Sequence, residues 1–193
     1  MARRLAVSGS TAATLLLLAA CTPTEPPPPL DVAQLPPIRL AVQTVEVESR
    51  AQYPANMNFI GRRRSEQLAA DAQQYLRSRV EATGGADFAR ATVEEASLIE
   101  RARPTEGGIL STEPTWEMAG VLAVKVAVVD GLGIENGSAS ARVQIARSLS
   151  PRTSVESKDN FARQLTNDLI AAASRDLRAS VEQNLGTHAG PSS

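Results

Sequence analysis

WEMAGVLAVKVAVV (residues 116–129), the turn residues Asp130-Gly131 and Asn136-Gly137, and then SASARVQIARSL (residues 138–149) decide the fold. In the first run Leu122, Val124, Val126 and Val128 take alternate positions, with Ala123, Lys125 and Ala127 between them. A period of two is the mark of a strand with one buried face. In the second run Ala139, Ala141, Val143 and Ile145 alternate with outward residues such as Arg142 and Gln144. Asp-Gly and Asn-Gly supply the positive φ that tight hairpins need. Two long antiparallel strands follow, and the hairpin 117–149 is expected at the centre of a sheet. A sheet that is apolar on one face must be covered on that face.

The cover is legible on both sides. Downstream, Pro151 breaks the chain, and Thr153 and Glu156 stand at capping-box spacing. A helix over 154–185 follows, with Phe161, Leu165, Leu169, Ala172, Leu177, Val181 and Leu185 as its stripe and Gly186 as its stop. At 1.5 Å per residue it is about 45 Å long, and it is expected to outrun the sheet, leaving its last turns for a partner. Upstream, residues 38–48 (IRLAVQTVEVE) read as a first strand. Its apolar phase shifts from Ile38, Leu40 and Val42 to Val45 and Val47, which predicts a bulge near Gln43–Thr44. A loop containing Tyr53-Pro54, Gly61 and Arg62-Arg63-Arg64 leads to Ser65, a plausible N-cap. Leu68, Ala72, Tyr75, Leu76, Arg79 and Val80 then mark a helix over 66–82, stopped by Gly84-Gly85. Residues 86–99 read as a strand carrying Val93, Leu98 and Ile99, and 103–108 as a turn.

The expected order is β-α-β-β-β-α. The fold class is α+β: a four-stranded, mostly antiparallel sheet with two helices on one face. Aromatic residues are only 3% of the chain, so core layers should be thin and built from small aliphatic side chains.

Residues 1–20 have another character. Arg3-Arg4 precede an apolar run, densest at Leu15–Leu18, that is too short to span a bilayer comfortably. It ends in Leu18-Ala19-Ala20-Cys21, which resembles the bacterial lipobox: the small residues admit the signal peptidase and the thiol takes a diacylglycerol. Cys21 is the only cysteine in the chain. Acylation would remove a lone thiol from an oxidising compartment, and several buried acyl chains anchor stably at roughly 0.8 kcal/mol per CH₂. After it come Pro26–Pro29 and Pro36-Pro37, a polyproline tether extending at about 3.1 Å per residue. The expected organisation is therefore a signal peptide at 1–20, an acylated Cys21 and tether over 21–37, one domain over 38–186, and a disordered tail over 187–193. Residue 22 is Thr and not Asp, which by resemblance to the sorting rules of enteric bacteria implies the outer membrane.

Charge and chemistry exclude more than they assign. The leader holds two of the 20 basic residues and no acid, leaving 18 basic against 21 acidic residues, a net charge of −3. That balance argues against nucleic acid as a partner. The one histidine, His188, follows the last helix and is a poor general base for a Ser-His-Asp or Cys-His site. One histidine and one acylated cysteine make no zinc site. Gly107-Gly108 and Gly131-x-Gly133 match no phosphate loop. Asp87, Glu94 and Glu95 are the carboxylates that glycosidase chemistry would use, but such clefts are aromatic-rich and this chain has one Trp. The expectation is a non-enzyme with no cofactor beyond the covalent acyl chains on Cys21. Arg62, Arg63 and Arg64 are the candidate contact for an anionic lipid, against the plainer reading of a solvated loop. Trp116 and Met118 read as core at a strand end or as an anchor for a partner, and Lys125 and Arg142 as ordinary solvent-face residues.

From Leu18-Ala19-Ala20-Cys21 and the tether onward, the chain resembles small Gram-negative envelope lipoproteins, especially those of alphaproteobacteria. Over 38–185 the order of elements is similar in outline to the lipopolysaccharide-assembly lipoprotein that plugs an outer-membrane barrel. It is also similar to the auxiliary lipoproteins of ABC-type lipid transporters. The resemblance implies a membrane-anchored protein on the periplasmic face, serving as an accessory subunit with an envelope protein as partner. The alternative is a stand-alone module that binds a lipid or another amphiphile.

Overall fold

The structure, a computed structural model, describes residues 34–103, 115–150 and 152–188. Leu18, Ala19, Ala20 and Cys21, most of the tether, Gly107-Gly108 and residues 189–193 lie outside the described residues. The elements are β1 (Ile38–Leu40), β2 (Thr44–Ser49), α1 (Phe59–Arg79), β3 (Val80–Ala82), β4 (Phe88–Arg103), β5 (Thr115–Val129), β6 (Glu135–Leu149) and α2 (Val155–Asn184).

The α+β class holds, with one change to the sheet. The main sheet has the order β2-β4-β5-β6. β4 to β6 pair antiparallel, but β2 and β4 pair parallel, so the sheet is mixed. The reason is local: α1 lies between β2 and β4 in the chain, and a helical crossover returns the next strand in the same direction. The hairpin is therefore not the sheet's centre. β4 and β5 are central, and β6 is an edge.

The first strand of the sequence reading is two strands. Ile38–Leu40 pairs in parallel with Val80–Ala82 in a separate two-stranded sheet, while Thr44–Ser49 joins the main sheet. The phase shift after Val42 marks this change of sheet, not a bulge. Between them Ala41 N–H donates to the His188 carbonyl at 2.6 Å and Gln43 N–H to that of Asp87 at 2.7 Å. Gly85 packs so close that a Cβ there would sit 2.3 Å from the Ala41 oxygen. The Gly pair thus closes β3 against β1, and the helix has already ended at Arg79. His188, within the expected tail over 187–193, is hydrogen-bonded to the domain through Ala41 and Leu185, and residues 189–193 lie outside the described ones.

Both helices cover one face of the main sheet, α1 over β2 and β4 and α2 over β5 and β6. Leu68, Leu76, Leu98, Met118, Leu122, Leu165, Leu169 and Leu177 are all buried in one continuous core. The expected stripe of β5 points there, and so does that of β6. Leu177, Val181 and Leu185 of the final turns are buried as well. α2 therefore does not outrun the sheet: its 30 residues span about 45 Å, while the 15 residues of β5 span about 50 Å. The outer face is tiled by ion pairs over alanines. Glu95 and Arg142 flank Ala123 in register and meet across it at 2.8 Å.

Candidate functional site

The arginine triplet lies on α1, not in a loop. Asn58 caps the helix, its Oδ1 accepting from Gly61 N–H at 2.7 Å. Ser65, the expected cap, is instead a buried residue inside α1. Its hydroxyl donates to the Gly61 carbonyl at 2.7 Å and accepts from Leu98 N–H at 2.9 Å. The cap was missed because Phe59 and Ile60, which follow Asn58, are exposed, so the periodic apolar pattern begins one turn late.

Helical geometry sends the three arginines to three places. Arg62 reaches back, Nη2 donating to the Pro54 carbonyl at 3.3 Å. Arg64 is mostly buried and clasps three elements: its guanidinium lies 2.8 Å from Asp159 on α2 and 3.9 Å from Glu100 on β4. Lys158 completes the network, 2.5 Å from Glu100. The Arg64 contact holds the Asp159 carboxyl below the usual aspartate range, aided by Arg63 and Arg163. Arg64 Nε is buried without a hydrogen-bond partner, so the clasp is not fully satisfied. Only Arg63 is exposed in the manner expected of an anion contact.

Arg63 and Arg64 line a cleft of about 330 Å³ between the N-terminal halves of the two helices. Gln67, Asp71 and Thr166 add polar lining, Leu98 and Ala162 add apolar lining, and Arg163 of α2 stands opposite α1. Sequence reasoning missed Arg163. It lies 99 residues from Arg64, and no local pattern links them. A smaller cleft of about 120 Å³ at the same end is lined by Ile60, Glu100 and Trp116. Trp116 is half-buried against the core and Met118 fully buried.

The three carboxylates do not converge. Asp87 precedes β4, where its Oδ2 lies 4.0 Å from His188 Nδ1. Glu94 is the extra residue of a bulge between Val93 and Glu95, and Glu95 is bound to Arg142 on the outer face. Seven residues of extended chain place Asp87 about 23 Å from Glu94, too far for a glycosidase pair. Among the described residues no group of three His, Cys, Asp or Glu could hold a metal ion. Also among them, no helix is long and apolar enough to cross a membrane.

No family model and no curated protein matches the chain. Solved structures resemble it in outline. A minor lipoprotein from Acinetobacter baumannii is 14% identical, with a TM-score of 0.40 over 72% of this chain and 93% of that one. Rare lipoprotein B from Shewanella oneidensis is 18% identical, TM-score 0.40, over 73% and 96%. An uncharacterized lipoprotein B from Nitrosomonas europaea is 15% identical, TM-score 0.41, over 75% and 86%. The likeness is one of outline.

Proposed function

We propose that the chain is a lipid-anchored protein of the bacterial envelope, acylated at Cys21 after removal of residues 1–20 and held on the periplasmic face of the outer membrane. The observation that carries this is the sole cysteine in Leu18-Ala19-Ala20-Cys21, followed by a polyproline tether and then a folded domain. The domain acts without catalysis, as an accessory subunit of a complex for lipid or lipopolysaccharide transport or for envelope integrity. The scattered carboxylates and the placement of His188 against Asp87 support that choice. Mass spectrometry of the membrane-extracted protein tests the anchor: the N-terminus is expected at an acylated Cys21, and Cys21→Ser should leave an unprocessed or released chain. A free N-terminus, or one elsewhere, overturns it. A tag after Ser193 and mild detergent extraction test the role, with a stoichiometric membrane-protein partner as the expected result.

One observation favours a second reading, a module for an anionic amphiphile. The inter-helix cleft combines Arg63 and Arg163 with an apolar lining of Leu98 and Ala162. A chain that purifies alone with lipid extractable into organic solvent, and loses it in Arg63→Glu, supports this reading against the first.

A further inference from the structure

The turn between β5 and β6 breaks the usual rule of turn composition. Its tip carries Leu132, 86% exposed, and Ile134, 58% exposed. The knuckle is built, not loose. Asp130 Oδ1 accepts from both Leu132 N–H and Ile134 N–H at 2.9 Å. Asp130 N–H donates to the Ile134 carbonyl and Gly133 N–H to that of Asp130, both at 3.0 Å. Gly133 takes the positive φ (85°) that lets the turn close. Lys125 neutralises the adjacent Glu135 at 3.0 Å. Two large aliphatic side chains are thus held out at the end of a hairpin, in the position where tight turns ordinarily place polar residues.

What covers them follows from where the tether joins the domain. Phe88 pairs with Val129, the last residue before the knuckle, and also with Thr44, the first residue of β2. Gln43 N–H binds the Asp87 carbonyl and Ala41 N–H that of His188, so the chain enters at the hairpin end. Arg178, in the last turns of α2, holds the Pro36 carbonyl. Thirteen residue steps separate Gln34 from Cys21. Fully extended they reach at most about 45 Å. Arg178 stands six residues from the end of α2 and 23 from Val155 at its start, about 9 Å against about 35 Å, so a bilayer at the hairpin end is the nearer one to the tether's root. That far end also exposes apolar residues, Phe59, Ile60 and Val155, but reaching it would hold the tether close to full extension, so the place where the tether joins selects the hairpin end.

We propose that the β5–β6 knuckle inserts Leu132 and Ile134 into the surface of the bilayer that holds the acylated Cys21, docking the domain hairpin-end down. This rests on the lipid anchor proposed above. The lipid surface is zwitterionic, because Asp130 in the knuckle and Asp87, next to the Phe88 that pairs with Val129, would be repelled by an anionic surface.

With its sole native cysteine acylated, the full-length chain offers one free thiol in Leu132→Cys and one in Val155→Cys, both at exposed positions. Each is labelled with an environment-sensitive fluorophore and reconstituted into vesicles of phosphatidylethanolamine and phosphatidylcholine. The label at 132 is expected to shift to the blue and to be quenched severalfold less by iodide than the label at 155. Equal quenching at both sites in protein that floats with the vesicles overturns the docking while leaving the anchor intact. Protection at 155 alone inverts the orientation and overturns it. Protection at 132 that grows with protein density at fixed lipid means a second copy covers the knuckle, which also overturns it. A chain that does not float removes the anchor, and the docking with it.

Discussion

Ser65 shows how one hydroxyl decides the fit of α1 on the sheet. Fully buried, it bonds back to Gly61 and accepts from the backbone of Leu98. A serine inside a helix commonly bonds the carbonyl four residues back; here the same oxygen also satisfies a strand N–H. Ser65→Ala should lower unfolding free energy by about 1–3 kcal/mol, because Leu98 N–H is left buried without an acceptor; urea titration measures it. A few residues along, Arg64 depresses the Asp159 carboxyl. A depressed carboxylate contributes stability above its unfolded value, and loses it as pH falls through the folded one. Asp159 is solvent-exposed, so the contribution is small. The shift itself is the readout: by NMR titration Asp159 should protonate below an ordinary aspartate, and Arg64→Gln should return it toward that range. An unmoved midpoint would show that the clasp does not hold the charge.

At the scale of elements, the contact between α2 and the sheet turns on an absent side chain. A Cβ at Gly120 in β5 would lie 2.4 Å from Leu169 Cδ1 and 3.2 Å from Leu98 Cδ1. Gly120→Ala should destabilise by about 1–3 kcal/mol through overpacking. Leu169→Ala should destabilise by about 2–5 kcal/mol through the cavity it leaves. The double variant should be less destabilised than the sum, since the new methyl occupies space the leucine vacated. Additive effects in thermal or urea unfolding would mean that the helix does not sit on Gly120 as described. The alternation of β5 and β6 was plain in the sequence because each strand has one wet and one dry face. The beginning of α1 was not, because its first turn is exposed and its cap, Asn58, precedes Phe59 and Ile60 instead of an apolar stripe. Arg62, Arg63 and Arg64 are one motif in the sequence and three environments in the fold, since successive helical residues point about 100° apart.

Over the whole molecule, the last turns of α2 close the structure. Leu177, Val181 and Leu185 are core, and His188 returns to accept from Ala41. Truncation after Asp176 should therefore abolish cooperative melting, and not merely release a docking arm; a sharp near-native transition would show these turns to be dispensable. The chain's periodicities determined by themselves that there are two covering helices and a long antiparallel hairpin, because each amphipathic pattern names its own buried face. Composition also set the small-aliphatic character of the core. Only the tertiary structure decided that residues 38–48 divide between two sheets, that β2 runs parallel to β4, and that Arg163 stands across a cleft from Arg63. Those facts depend on which segments distant in sequence become neighbours, and a side chain's period records which face is buried but not what is buried against it.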